Sequence, residues 1–356
     1  IRQALESRRD MLTMSFDPTT GMDLNTTVGQ LELRSVICVP LVRIRAGQVN
    51  QTQALETAQA TVGVLYLDSR LSPADLSAGN RELIQTLALE ASTVIENARL
   101  LEEDRNRRHL EEEMAVARSI QQSLLPKALP ANEWFAAEGS TLPAAQVGGD
   151  YYDVRPLDSG AWSIVLADVS GKGPSAALLA GLLQGALLAA RPEAEAIPAV
   201  LSRLNEFLHE RTQGEKYVTV FLASLDAAGR LRYANTGIGP PLLLRATGEV
   251  MRLESTAMPV GLMEGVDFTA AEVQLAAGDL VVLFSDGVED ARNVAGEAFG
   301  RKRVRELAQR SAASGVPAVH DQIKEAVVAH VGAAAPTDDL TLLVFHYAAG
   351  PADARQ

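Results

Sequence analysis

Aspartates in this chain recur where apolar strand text gives way to turn text. In VGGDYYD (147–153) Asp150 follows two glycines, and Asp153 stands three residues later. In LADVSGKG (166–173) Asp168 closes an apolar run, and in LFSDGVED (283–290) Asp286 does the same. PTDDLT (336–341) puts Asp338 and Asp339 just before another apolar run. Strand ends hold side chains rigidly, and adjacent glycines let an ion, a water or a substrate approach the backbone. Clustered carboxylates repel one another unless a cation joins them. Hard oxygen ligands without histidine or cysteine select Mg²⁺ or Mn²⁺. Two such ions about 3.5–4 Å apart can activate water for in-line attack on phosphorus. Asp-Gly pairs are also ordinary turn formers, so one motif alone is weak evidence. Four of them bordering apolar runs argue for a phosphoryl-transfer site built on Asp150, Asp168, Asp286 and Asp338.

SGKG (170–173) invites a P-loop reading but fails on spacing. No glycine stands five residues before Lys172, and no Ser or Thr follows it. Gly171 and Gly173 instead read as the turn that starts a helix at Pro174, whose positive N-terminus would face the site and could help hold phosphate. Lys172 reads as solvated rather than as a phosphate ligand.

Strands and helices must bring these aspartates together. Strand candidates are 162–169, 217–226, 230–235, 279–287 and 340–347, and helix candidates are 174–190, 196–211, 300–313 and 317–331. The strands at 217–235 are split by Ala227-Ala228-Gly229, a hairpin signal. Strands in runs and helices in pairs favour an α+β class, with two antiparallel sheets and helices outside.

Upstream, SVICVPLV (35–42) and ATVGVLYLD (60–68) read as buried strands, and 43–59 as a loop. Ser72-Pro73 suits a helix start, and no proline or glycine lies between Gly79 and Pro126. The helix could therefore run to Leu125. Ile84, Leu87, Ala91, Val94, Ala98 and Leu101 form a seam at coiled-coil spacing. A new stripe starts at Leu110, Met114, Ala117, Ile120 and Leu124. The seam changes phase across the charged run 102–113, as insertions in coiled coils do. The run reads equally as a solvated face rich in i,i+4 ion pairs and as the deformable middle of a dimeric signalling helix.

The formal net charge of −13 argues against nucleic-acid binding and against docking on an anionic membrane. The most apolar run, 175–190, is too short to span a bilayer. One cysteine, Cys38, excludes an internal disulfide and a cysteine zinc site and fits a reducing cytoplasm. The five histidines show no ligand spacing.

Several stretches together match a known family. They are VARSIQQSLLP (116–126), VGGDYYDV (147–154), ADVSGKGPSAALLA (167–180), YVTVFLASLD (217–226), PVGL (259–262), FSDGVEDARN (284–293), GEAFG (296–300) and TDDLTLLVF (337–345). In order and spacing the chain from 116 to 347 resembles the SpoIIE/RsbU-type branch of the type-2C-like, metal-dependent protein serine/threonine phosphatases. The resemblance implies an α/β/β/α sandwich with two Mn²⁺ or Mg²⁺ ions between the sheets. It implies that Asp168 bridges them, that Asp150 and the Val169 carbonyl serve one, and that Asp286 and Asp338 serve the other. Asp339 and Asp153 would support these ligands or bind a further, weaker metal. The nucleophile would be a water on the metals, with no phosphoenzyme. The substrate would be a phosphoserine or phosphothreonine on a STAS-domain anti-sigma-factor antagonist, in a partner-switching pathway. One departure is visible: NTGIGPPLLL (235–244) carries Ile238 where the family usually has histidine.

LRSVICVPL (33–41) and VGVLYLDS (62–69), followed by a long helix, resemble the later part of a GAF sensor domain. Its opening strands would lie upstream of Ile1, so a small-ligand pocket there would be incomplete. The expected organisation is a GAF-like domain at 1–98, a helical linker at 99–130 that forms a homodimer, a phosphatase domain at 131–347 and a tail at 348–356. The competing functions are a partner-binding scaffold without turnover and a small-ligand sensor.

Overall fold

The computed structural model describes residues 11–14, 35–42, 61–69, 78–190, 193 and 196–348. The chain divides into two compact units, Ile1–Glu111 and Glu112–Gln356. The division falls inside the charged run where the helical seam changes phase. The loop expected at 43–59 and the helix start expected at Ser72-Pro73 lie outside the described residues.

In the first unit, β1 (Met11–Met14), β2 (Ser35–Val42) and β3 (Thr61–Ser69) form an antiparallel sheet in that order. Ile37, Val39 and Leu41 alternate along β2, and so share one face. Helix α1 (Ala78–Leu124) lays Ile84, Ala88 and Ala91 against that face. Its 47 residues span about 70 Å. The expected seam is only partly used within the chain: Ile84 and Ala91 pack on the sheet, whereas Leu87, Val94 and Leu101 are exposed. The expected ion pairs are present: Glu96–Arg99, Arg99–Glu103, Asp104–Arg107 and Asp104–Arg108. Helix α1 ends before Pro126, which cannot continue it.

The second unit holds β4 (Phe135–Leu142), β5 (Tyr151–Pro156), β6 (Trp162–Val169), α2 (Pro174–Ala190), α3 (Ile197–Thr212), β7 (Val218–Leu225), β8 (Arg230–Asn235), β9 (Leu242–Leu244), β10 (Val250–Arg252), β11 (Ala271–Gln274), β12 (Asp279–Phe284), α4 (Asp286–Asp290), α5 (Arg301–Ser311), α6 (Val316–Val331) and β13 (Leu340–Tyr347). They build two antiparallel sheets, β10-β9-β12-β13-β4 and β11-β8-β7-β6-β5.

The period-2 pattern decides what each strand buries on either side. Ile164 and Leu166 of β6 join Val281, Leu283, Leu343 and Phe345 in the core between the sheets. Val165, Ala167 and Val169 face α2 and α3. Leu280, Val282, Phe284, Leu342 and Val344 face α5 and α6. Both faces are covered, so these strands read as continuous apolar runs rather than alternating ones. The architecture is the expected α+β sandwich of two antiparallel sheets with helices outside. Strands β4, β5, β9, β10 and β11 were not among the expected ones. β9 and β10 are three residues long and β11 four, while the text of β4, FAAEGSTL, holds polar residues and a glycine in place of an apolar run.

Candidate metal centre

Strand parity carries two of the aspartates to the inner face. Asp168 follows Ile164 and Leu166 at period 2, and Asp150 precedes Tyr152 and Val154 of the same core at the same period. β5 and β6 pair with Tyr151 opposite Ala167, which brings the two carboxylates to neighbouring strand ends. The other sheet supplies the rest. Phe284 of β12 pairs with Leu342 of β13, so Asp286 and the Asp338-Asp339 pair stand at one end of that ladder. Ser285 locks this corner. Its N–H donates to Thr341 O (3.0 Å), and its hydroxyl donates to Asp339 O (3.0 Å) while accepting from Thr341 N (3.1 Å).

Glycines allow the turns to close on one another. A Cβ at Gly149 would sit 2.9 Å from the Val169 carbonyl oxygen and 3.2 Å from Ala176 Cβ, in the first turn of α2. A Cβ at Gly287 would overlap the Asp339 carbonyl oxygen. Gly171 and Gly173 have φ of 92° and 75° and form the expected turn into α2.

The carboxylates act on one another electrostatically. Burial raises the Asp150 pKa well above its ordinary value, and the Asp168 charge adds to this. Burial and then the Asp286 charge push Asp168 up to about 6. Burial and then the Asp338 charge raise Asp286. Asp150 is buried, and its Oδ2 has no hydrogen-bond partner. The charges of Asp168, Asp286 and Asp338 thus each act on a neighbouring carboxylate of the group.

Among the described residues, no three acidic or imidazole side chains converge tightly enough to enclose an ion as they stand. Asp338 is turned to Lys172, with Nζ to Oδ2 at 3.2 Å, and the same ammonium bonds the Thr337 carbonyl. Lys172 is therefore engaged and not simply solvated. The orphaned, buried Asp150 oxygen and the mutual repulsion still fit a hard divalent cation.

Asp339 differs from the other four. Its Oδ1 accepts from Ala144 N (2.8 Å), and its Oδ2 accepts from Gly149 N (2.6 Å) and Asp150 N (3.4 Å). Asp153 lies apart from the group. It shares the helix-facing side of β5 with Tyr151, whose hydroxyl donates to it at 2.9 Å, and it pairs with Arg155. Ile238 is buried in the core between the sheets.

Sequence reasoning missed Gln121. From the last turns of α1 its amide donates to Gly148 O (2.7 Å) and accepts from Gly148 N (3.1 Å). Nothing in the text around it marks such a contact.

The family described as Stage II sporulation protein E (SpoIIE) matches residues 158–348. Protein IcfG of Synechocystis is 28% identical over 262 residues, covering 66% of this chain and 41% of that protein. Phosphoserine phosphatase RsbU of Bacillus subtilis is 30% identical over 186 residues, covering 51% of this chain and 55% of its own length. The chain thus spans about half or less of these relatives. The SiaA-PP2C domain of Pseudomonas aeruginosa superposes with a TM-score of 0.58 at 23% identity, over 68% of this chain and 98% of that one, and so shares the fold.

Proposed function

The chain belongs to the SpoIIE family, and on that premise we propose that it is a metal-dependent protein serine/threonine phosphatase. The observation that carries the proposal is the buried Asp150 oxygen left without a partner, at strand ends that also carry Asp168, Asp286 and Asp338. The relative RsbU is named as a phosphoserine phosphatase, which supports the same reaction here.

Asp168, Asp150 and the Val169 carbonyl would hold one Mn²⁺ or Mg²⁺ ion, and Asp168, Asp286 and Asp338 a second. When bound, such ions supply Lewis-acid polarisation of the phosphoryl group and lower the pKa of water. The chain's own residues do the positioning. Ser285 and Thr341 tie the Asp286 and Asp338 turns together. The first turn of α2 lies against Gly149, and its backbone N–H groups would help hold the phosphate. Lys172 would leave Asp338 as a cation arrives and remain as a nearby positive charge for the phosphate.

The substrate we propose is a phosphoserine or phosphothreonine on a STAS-domain anti-sigma-factor antagonist, dephosphorylated in the cytoplasm within a partner-switching pathway. The first unit would be a GAF-like regulator that takes a small ligand. The exposed Leu87, Val94 and Leu101 stripe would pair with a second copy of α1 and transmit its state. Among the described residues no helix is long and apolar enough to cross a membrane.

The test is Mn²⁺-dependent phosphate release from a phosphorylated STAS protein. Asp168→Ala should reduce the rate by several orders of magnitude, because electrostatic stabilisation and water activation go together. Unchanged release by Asp168→Ala, or in excess chelator, would sink the mechanism.

A further inference from the structure

We propose that Asp339 is a positioning residue that sets the Asp150 turn through backbone N–H groups and does not itself ligate metal. This rests on the metal-dependent reading above. An ionised carboxylate offers about four acceptor sites. Three here are taken by main-chain donors from Ala144, Gly149 and Asp150. Asp339 is a buried residue, whereas Asp338 is half-buried.

Its own main chain is pinned at both ends. Asp339 N donates to Asp338 Oδ1 at 3.0 Å, and Asp339 O accepts from the Ser285 hydroxyl at 3.0 Å. The residue therefore joins the two halves of the site. Its backbone belongs to the β12–β13 corner, and its carboxylate grips the loop that presents Asp150 from the other sheet. Two residues with the same charge and adjacent numbers thus have opposite tasks.

Gly148 gives an independent handle. A Cβ there would overlap Asp339 Oδ2, although no left-handed φ requires glycine at that position. Gly148→Ala thus pushes the carboxylate off its donors without removing any carboxylate from the site.

The experiment measures Mn²⁺ binding to the full chain by electron paramagnetic resonance of free Mn²⁺, for wild type, Asp339→Asn, Gly148→Ala and Asp339→Ala with and without Gly148→Ala. Positioning predicts the wild-type number of Mn²⁺ ions at saturation in every variant. It predicts a dissociation constant raised about 10- to 100-fold, and lost phosphate release that is largely recovered at high Mn²⁺. It also predicts that Gly148→Ala adds little to Asp339→Ala, since the group it displaces is already gone. Loss of one Mn²⁺ equivalent in Asp339→Asn overturns the role given to Asp339 and leaves the phosphatase reading standing. Wild-type protein that binds no Mn²⁺ overturns both. Should Gly148→Ala fail to fold, the stoichiometry of Asp339→Asn still decides.

Discussion

Replacing Asp168 by asparagine should stabilise the metal-free protein at neutral and alkaline pH while abolishing its response to metal. The folded state raises the Asp168 pKa from 3.8 to about 6, first by burial and then by the Asp286 charge. The sign follows from linkage. A carboxyl whose folded pKa lies above its unfolded one contributes stability that is full below the unfolded value and lost as pH rises through the folded value. The window is therefore about pH 4 to 6. The rise of about 2 pH units, at about 1.4 kcal/mol each, makes the ionised group cost at most about 3 kcal/mol above pH 7. Asparagine carries no charge, so it avoids that cost. For a unit of this size about 1 kcal/mol moves the melting temperature by about 2–4 °C, so Asp168→Asn should melt about 5–10 °C higher in chelator at pH 8. The gap should close near pH 4. Thermal unfolding by circular dichroism, with and without Mn²⁺, reads all of this. Mn²⁺ should raise the wild-type melting temperature and leave that of Asp168→Asn nearly unchanged. A variant no more stable than wild type at pH 8 in chelator would refute the electrostatic account of the cluster.

Removing the Gln121 amide takes two hydrogen bonds from the Gly148 backbone, each worth about 1 kcal/mol; Gln121→Ala should weaken Mn²⁺ binding several-fold with the fold intact, as read by metal titration beside circular dichroism. Gly287→Ala forces a methyl into the Asp339 carbonyl, so it should cost about 1–3 kcal/mol in urea unfolding and remove most phosphate release. Insertion or deletion of residues within 102–113 should change basal phosphatase activity while Mn²⁺ affinity stays constant. If such variants keep wild-type activity and regulation, the helix is only a tether.

The placement of the four principal aspartates at strand ends was legible because each borders an apolar run, and period-2 geometry then sends Asp150 and Asp168 to the inner face. Helices α2, α3 and α6 were legible to within a residue at either end, since their apolar spacing is unbroken. Gln121 was not, because its partner lies 27 residues away and a backbone contact leaves no pattern in residue types. Asp338 and Asp339 could be ranked only by resemblance, since adjacent carboxylates have equal chemistry until a fold gives one of them amide donors. Asp153 stands three residues after Asp150, which puts it on the opposite face of β5, and it pairs there with Arg155. Lys172 read as solvated because an ion pair with Asp338 spans 166 positions of chain. β4 escaped notice because an edge strand needs few apolar residues. The seam of α1 was visible, but its exposure shows that one chain alone buries only part of it.

The most direct test of the central claim is a Mn²⁺ titration of chelator-stripped protein with phosphate release from a phosphoserine protein followed at each step. Two bound equivalents in wild type, activity that rises with their occupancy, and loss of both binding and activity in Asp168→Ala are the predicted result. Phosphate release in excess chelator, or unchanged metal binding in Asp168→Ala, would contradict it.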